Sequence, residues 1–297
     1  MTSRPQHLLA VKHLLLLTIV LSGPQSCSLE DDSVYPPIKE QARRCRNGFP
    51  LSDYKVKLRP AAINLLNEVE TKFAKGVCMA EMKNWPPERY GDSDVDNAGT
   101  PFIRINPIFD DEERERTIVH ELFHLKFQAD GFARFRWILQ GRADEDTVRF
   151  IHDTFLDATE HYVFFPSTSK MGIDPSANLK ASIRAGAYKI LNRGHTTAAT
   201  AYYYRAILLV DDKKLIAELT KWYEENGLVD AMRKGDELAA TVRNLNPKAP
   251  EDLLSTQLKV LQAIPGLRDK YEFKGWDEES LGSFKRRLAV VLVGPLQ

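Results

Sequence analysis

The sequence has no excess of either charge: Lys and Arg number 41, and Asp and Glu number 41, in 297 residues. Such a balance supplies neither the basic face of a nucleic-acid groove nor a polybasic membrane patch. Cysteine is scarce, at three residues, with no C-x-x-C pair and no zinc-finger spacing. That excludes a disulfide-dense scaffold and the dithiol redox motifs. No N-x-[ST] acceptor occurs, so N-glycosylation is not expected. No internal repeat is recognisable. What is present, 43% hydrophobic and 28% charged residues, is ordinary for a globular chain able to bury one large core or two modest ones.

The first thirty residues depart from that average. Arg4 and Lys12 precede "LLLLTIVL", Leu14 to Leu21, and "SGPQSC" breaks the run. A basic n-region, a short apolar h-region and a small-residue exit are the parts of a secretory signal peptide, expected over 1–26. The run is too short to span a bilayer comfortably, so no stable membrane insertion is expected after its removal. The expected location is secreted or periplasmic. A lipid on Cys27 is disfavoured because "GPQSC" is a poor lipobox. In an oxidising compartment Cys45 and Cys78 are the natural disulfide pair.

Residues 28–44 are polar, carry the Pro36–Pro37 pair and read as linker. A helix is predicted over 60–75, with Ile63, Leu66, Val69 and Phe73 on one face. "TPFIRINPIF" alternates like a strand at Phe102 to Ile105, and its flanking prolines suggest a sheet edge. Asp110 and Glu113 form a capping box and Gly131 a stop, framing a helix between them. "FARFRWILQ" fits either strand or helix. A further helix starts near "ADEDT" and ends at Pro166. Helices are predicted near 196–209, 211–226, 227–244, 251–263 and 277–292. The fold class is α+β, with a catalytic domain at 45–174 and a mostly helical domain at 175–297.

Inside the capped helix lies "RTIVHELFHLKF", Arg116 to Phe127. His120 and His124 are one helical turn apart, so both imidazoles project from one face. Neutral imidazole is a good zinc ligand. Glu121 flanks the pair and can take a proton from water and pass it to a leaving amine. Ile118, Val119, Leu122, Phe123, Leu125 and Phe127 make this helix apolar nearly all round. Buried polar groups need partners, and a metal provides them.

"VHELFHL" behind the strand "PFIRIN" resembles the active-site region of zincin metallopeptidases, and is most similar to the gluzincin group. The resemblance covers Phe102 to Phe127. It implies a short mixed sheet beside the active-site helix, a Zn2+ ion on three protein ligands and a water, Glu121 as general base, and an extended peptide or protein substrate paired with an edge strand. "HLKFQADGFARF" lacks the third histidine of H-x-x-G-x-x-H, so the third ligand falls to the next helix. Glu160 is the leading candidate there, with His161 and Asp157 as alternatives. Glu145 sits at a first turn, where acidic residues serve the helix dipole. Asp157 or Asp153 suits the free N–H of a bound histidine. His195 and Tyr202 to Tyr204 are conceivable donors to an oxyanion, although loop and core roles suit them better. Two other readings stay open: a zinc hydrolase of cell-wall or small-molecule amides, and a non-catalytic binding protein. The intact Glu121 argues against the latter.

Overall fold

The computed structural model describes residues 45, 48–54, 58–87, 89–140, 145–192, 194, 196–264 and 270–294. The expected signal segment 1–26, the linker with Cys27, and His195 lie outside the described residues. Among the described residues no helix is long and apolar enough to cross a membrane.

The chain is mixed α+β. The first half builds a four-stranded sheet from β1 (Phe49–Pro50), β2 (Cys78–Glu81), β3 (Gly91–Val95) and β4 (Pro101–Ile105), in the order β1-β2-β4-β3. β2 runs parallel to β4, and β3 antiparallel to it. The predicted strand at 102–105 is therefore real but interior, and β3 is the edge beside it. Pro101 is tolerated because it opens the strand, opposite Val95, where no ladder donor is needed. A Cys45–Cys78 disulfide ties the start of the described chain to β2, as expected.

Against this sheet pack α1 (Pro60–Phe73) and α2 (Asp111–Ala129). In α1 the buried stripe is Ala62, Leu65, Leu66, Val69 and Phe73, and Ile63 is exposed. Asp110 caps α2 by accepting from the Glu113 N–H at 2.9 Å, and Gly131 follows with φ 85°. All six apolar residues singled out around the histidines are buried. They share a core with Leu65, Met79, Ile103 and Ile105.

Residues 134–139 resolve as a strand, β5 (Arg134–Leu139). α3 (Glu145–Ile151) then runs into a π-helical turn (His152–Leu156) and on into α4 (Asp157–Lys170). The helix does not stop at Pro166. Phe164 and Thr168, on either side of the proline, are buried, and that packing carries the helix past the lost hydrogen bond. The π turn inserts an extra residue per turn, so the even stripe expected for Asp153, Asp157 and Glu160 is reset midway.

α5 (Ala177–Arg184), α6 (Thr196–Leu209), α7 (Lys213–Glu225), α8 (Val229–Leu245) and α9 (Pro250–Ala263) follow, four of them close to their predicted spans. The predicted helix at 277–292 is instead a hairpin of β6 (Tyr271–Leu281) and β7 (Phe284–Val293). The β-branched run "AVVLV" favours a strand. Gly282 makes the turn at φ 55°, where a Cβ would lie 2.2 Å from the Ala98 carbonyl oxygen. β7 pairs in parallel with β5, giving a second sheet of order β5-β7-β6. The sequence boundary near 174 therefore does not divide the packing. Phe155 and Leu156 share a core with Tyr204, Leu238 and Val260, and Leu253 and Leu281 belong to the core of the first sheet.

Candidate metal centre

α2 presents His120 and His124 on one face, and α4 crosses it with His161. Phe164 of α4 stacks on Phe123 of α2 at 5.1 Å between ring centres, and it lies edge-on to Phe127. The rotation of α4 is fixed from behind: the Thr159 hydroxyl donates to the Phe155 carbonyl at 3.0 Å and lies 2.9 Å from the Tyr204 hydroxyl on α6. With that face turned toward α2, Nε2 of His124 lies 3.1 Å from Nε2 of His120 and 3.3 Å from Nε2 of His161. The three ring nitrogens all fall within 4.8 Å of one another, so His120, His124 and His161 can hold a metal ion.

Glu160 sits elsewhere than a third ligand would. Its Oε1 is 2.8 Å from Nδ1 of His124, the ring nitrogen that does not join the cluster. An Nδ1–H donating to this carboxylate leaves the Nε2 lone pair for an ion and fixes the ring. Asp157 places Oδ1 3.3 Å from Nε2 of His161, the nitrogen that faces His124, and its Oδ2 is buried with no hydrogen-bond partner. Asp153 pairs with His152 at 3.1 Å, and Glu145 is exposed in the first turn of α3.

The donor set passes a chemical test for a metal. Three imidazole nitrogens converging in a buried site repel one another unless a proton or a cation lies between them. Phe164 and Phe165 crowd the same rings, and the Phe165 ring stacks on His161 at 5.1 Å. Burial, with His124 close by, drives the His120 imidazole well below the usual histidine range, and the same holds for His161. Burial also opposes charge on His124, but the Glu160 carboxylate outweighs it and pushes the imidazole up to about 9. The metal-free cluster thus holds its positive charge on His124, where an ion would replace the proton. Imidazole sets of this kind suit zinc, copper, iron or nickel.

Glu121 is not one of the converging donors and is held against β3. Its Oε2 accepts from the Ser93 hydroxyl at 2.8 Å. Gly91 makes room for it: a Cβ there would lie 2.5 Å from the Thr117 methyl and 3.2 Å from Glu121 Oε1. Burial pushes the Glu121 carboxyl up to about 7, against the pull of His124 and the Ser93 hydrogen bond. Burial raises Asp157 to about 7 as well.

An open cleft of about 690 Å³ faces His120, Glu121 and His161, with Tyr90, Asn178 and Arg205 on its walls. A smaller one, about 410 Å³, lies on the His124 and Glu160 side and is lined by Gln128, Arg134 and Gln257. The tyrosines considered as donors are committed elsewhere: Tyr202 to Ser182, Tyr203 to Thr220 and Tyr204 to Thr159. Ser93, Gly91 and Arg205 are site residues that sequence reasoning missed. Arg205 carried a signal, because an arginine inside "AYYYRAILL" is only 3% exposed and must face something polar. Burial lowers its pKa, while the charges of Asp157 and Asp153 favour the guanidinium. In comparisons with known proteins, the chain matches no family model, no curated protein and no solved structure.

Proposed function

We propose that the chain is a zinc-dependent peptidase of the zincin type, holding its metal on His120, His124 and His161, with Glu121 as the general base. The observation that carries this reading is the convergence of three imidazoles from α2 and α4 beside a buried glutamate that lines the same cleft and is held by Ser93. His161 takes the third place rather than Glu160, because Glu160 is occupied at the far nitrogen of His124. A zinc ion bound there supplies Lewis-acid chemistry, lowering the pKa of a water and polarising the substrate carbonyl.

The remaining roles belong to the chain. Glu160 orients the His124 imidazole through its far nitrogen, while Asp157 lies on the metal side of the His161 ring. The Ser93 hydroxyl holds Glu121 Oε2, which leaves Oε1 to accept a proton from water and return it to the leaving amine. Arg205 lends positive charge to the wall of the cleft, a charge of the sign that favours an oxyanion. Phe164 and Phe165 keep bulk water from the rings. The Cys45–Cys78 disulfide supports a place in an oxidising compartment, secreted or periplasmic. A zinc hydrolase acting on another amide would use the same groups, and a pure binding site would have no need of Glu121.

The test is zinc content and turnover of a mixed peptide library by wild type and Glu121→Gln. One zinc per chain in both proteins, with turnover only in wild type, is the expected result. Equal turnover by the variant would remove Glu121 from the mechanism, and cleavage of nothing by wild type would pass the reading to other amides.

A further inference from the structure

The edge strand β3 is where an extended peptide would add to the sheet next to Glu121. Strand addition works through main-chain hydrogen bonds to outward-facing N–H and C=O groups. Which residues of β3 face outward follows from its register. The Asp96 N–H donates to the Thr100 carbonyl at 3.0 Å, and the Asn106 N–H to the Tyr90 carbonyl at 2.9 Å. Residues 90 and 96 are therefore hydrogen-bonded positions of the β3–β4 ladder. In an antiparallel pair these alternate, so Asp92 and Asp94 also turn inward to β4. Gly91, Ser93 and Val95 turn their backbone groups outward.

Two of these three outward carbonyls are already taken. Arg134 of β5 donates Nη2 to the Ser93 carbonyl at 2.9 Å, and Arg286 of β7 donates to the Val95 carbonyl at 3.3 Å. Both arginines are fastened by the same carboxylate: Arg134 Nη1 lies 3.2 Å from Asp94 Oδ1, and Arg286 pairs with that oxygen too. Arg286 is held further by Glu279 at 3.0 Å. Arg286 is nearly buried, at 8% exposure, and both side chains come from the second sheet, which closes over this end of β3. Arg134 also lines the smaller cavity beside His124 and Glu160, whereas Gly91 lines the open cleft with His120 and Glu121.

We infer that the cleft is blind at its His124 end. Arg134 and Arg286 occupy the edge of β3 from Ser93 to Val95, so the site admits substrate from the Gly91 side only. It takes short amide chains, of dipeptide to tripeptide size, and not an extended polypeptide lying across the centre. This rests on the proposed hydrolase reading and assigns that site its substrate class. Arg134 and Arg286 are specificity-determining residues that never touch the reacting atoms.

The experiment uses zinc-loaded full chain and amidated mixed-sequence peptides of increasing length, from dipeptide to octapeptide. Binding to the Glu121→Gln protein is measured by calorimetry, and kcat/KM is measured on wild type. The same length series is run with Arg286→Ala, and with Asp94→Asn, which loosens both arginines without removing either. Wild-type binding and kcat/KM should not improve beyond the tripeptide. Each variant should gain about tenfold for the octapeptide, the worth of one or two recovered main-chain hydrogen bonds, with dipeptides little changed. Should Arg286→Ala fail to fold, Asp94→Asn carries the test. Preference of the wild type for the octapeptide, or an unchanged length dependence in a folded variant, overturns the inference. Length-limited binding without any cleavage upholds the blind cleft and fails the peptidase reading alone. Binding of no length overturns both.

Discussion

Replacing Glu160 and His161 in turn separates a ligand from the group that orients one. Glu160 stands 2.8 Å from His124 Nδ1, on the side away from the cluster. Glu160→Gln keeps an acceptor oxygen for that N–H and loses only the charge that makes His124 a better donor to metal. Changes to such outer partners typically lower metal affinity by about 10–100-fold, or roughly 1.4–2.8 kcal/mol at ~1.4 kcal/mol per tenfold. His161→Ala removes one of three converging nitrogens, so its loss should exceed that range, beyond about 100-fold. The assay is zinc competition against a chromophoric chelator at near-neutral pH, with circular dichroism confirming that each variant is folded. That control matters because His161 is 2% exposed and its ring stacks on Phe165. His161→Gln, closer in volume, repeats the test with less disturbance of packing. A larger loss of affinity in Glu160→Gln than in either His161 variant would refute the ligand assignment and return the third place to Glu160.

Glu121→Gln should bind zinc normally and lose about 10²–10⁴-fold in kcat, as expected for a general base. Ser93→Ala, which frees one carboxylate oxygen, should cost about tenfold or more, the usual worth of a hydrogen bond to a charged group. The chelated protein should lose stability as pH rises from 6.5 to about 9. His124 is raised from 6.5 to about 9 in the fold, so the stability its proton contributes is full below 6.5 and gone above the folded value. Zinc-loaded protein should show the opposite trend, because metal replaces that proton, and denaturant titrations across this range with and without zinc give the comparison. Reduction of Cys45–Cys78, which closes a 33-residue separation, should lower stability by about 4 kcal/mol in the chain-entropy view, read by the same titrations with and without reductant. Gly282→Ala should cost about 1–3 kcal/mol, from a positive φ and the clash with Ala98, and a smaller loss would mean the turn can shift.

Local signals carried the sequence reading wherever the deciding contacts are local. His120 and His124 lie one turn apart on one helix, so their shared face, with Glu121 flanking it, follows from helical spacing alone. The Asp110 cap and Gly131 stop act within their own turns, and both stand where the sequence put them. The Cys45–Cys78 pair was legible because few cysteines leave few pairings. The spans of α6 to α9 followed from apolar periodicity. The stretch at 277–292 failed because "FKRRLAVVLV" serves either state in isolation. Its strand character comes from pairing with β5, roughly 150 residues away in the chain. Pro166 misled for a similar reason, since burial of Phe164 and Thr168 outweighs a local breaker. The choice among Glu160, His161 and Asp157 depends on the angular setting of α4 against α2. A π turn at His152–Leu156 and the Thr159–Tyr204 contact set that angle, and neither has a local signature. The arginines that close the edge of β3 come from β5 and β7. The sequence by itself determined a helix that sets two histidines on one face with a glutamate beside them. The tertiary structure decided which third side chain meets that helix and which strand edge stays open, because both depend on the packing of segments distant in the chain.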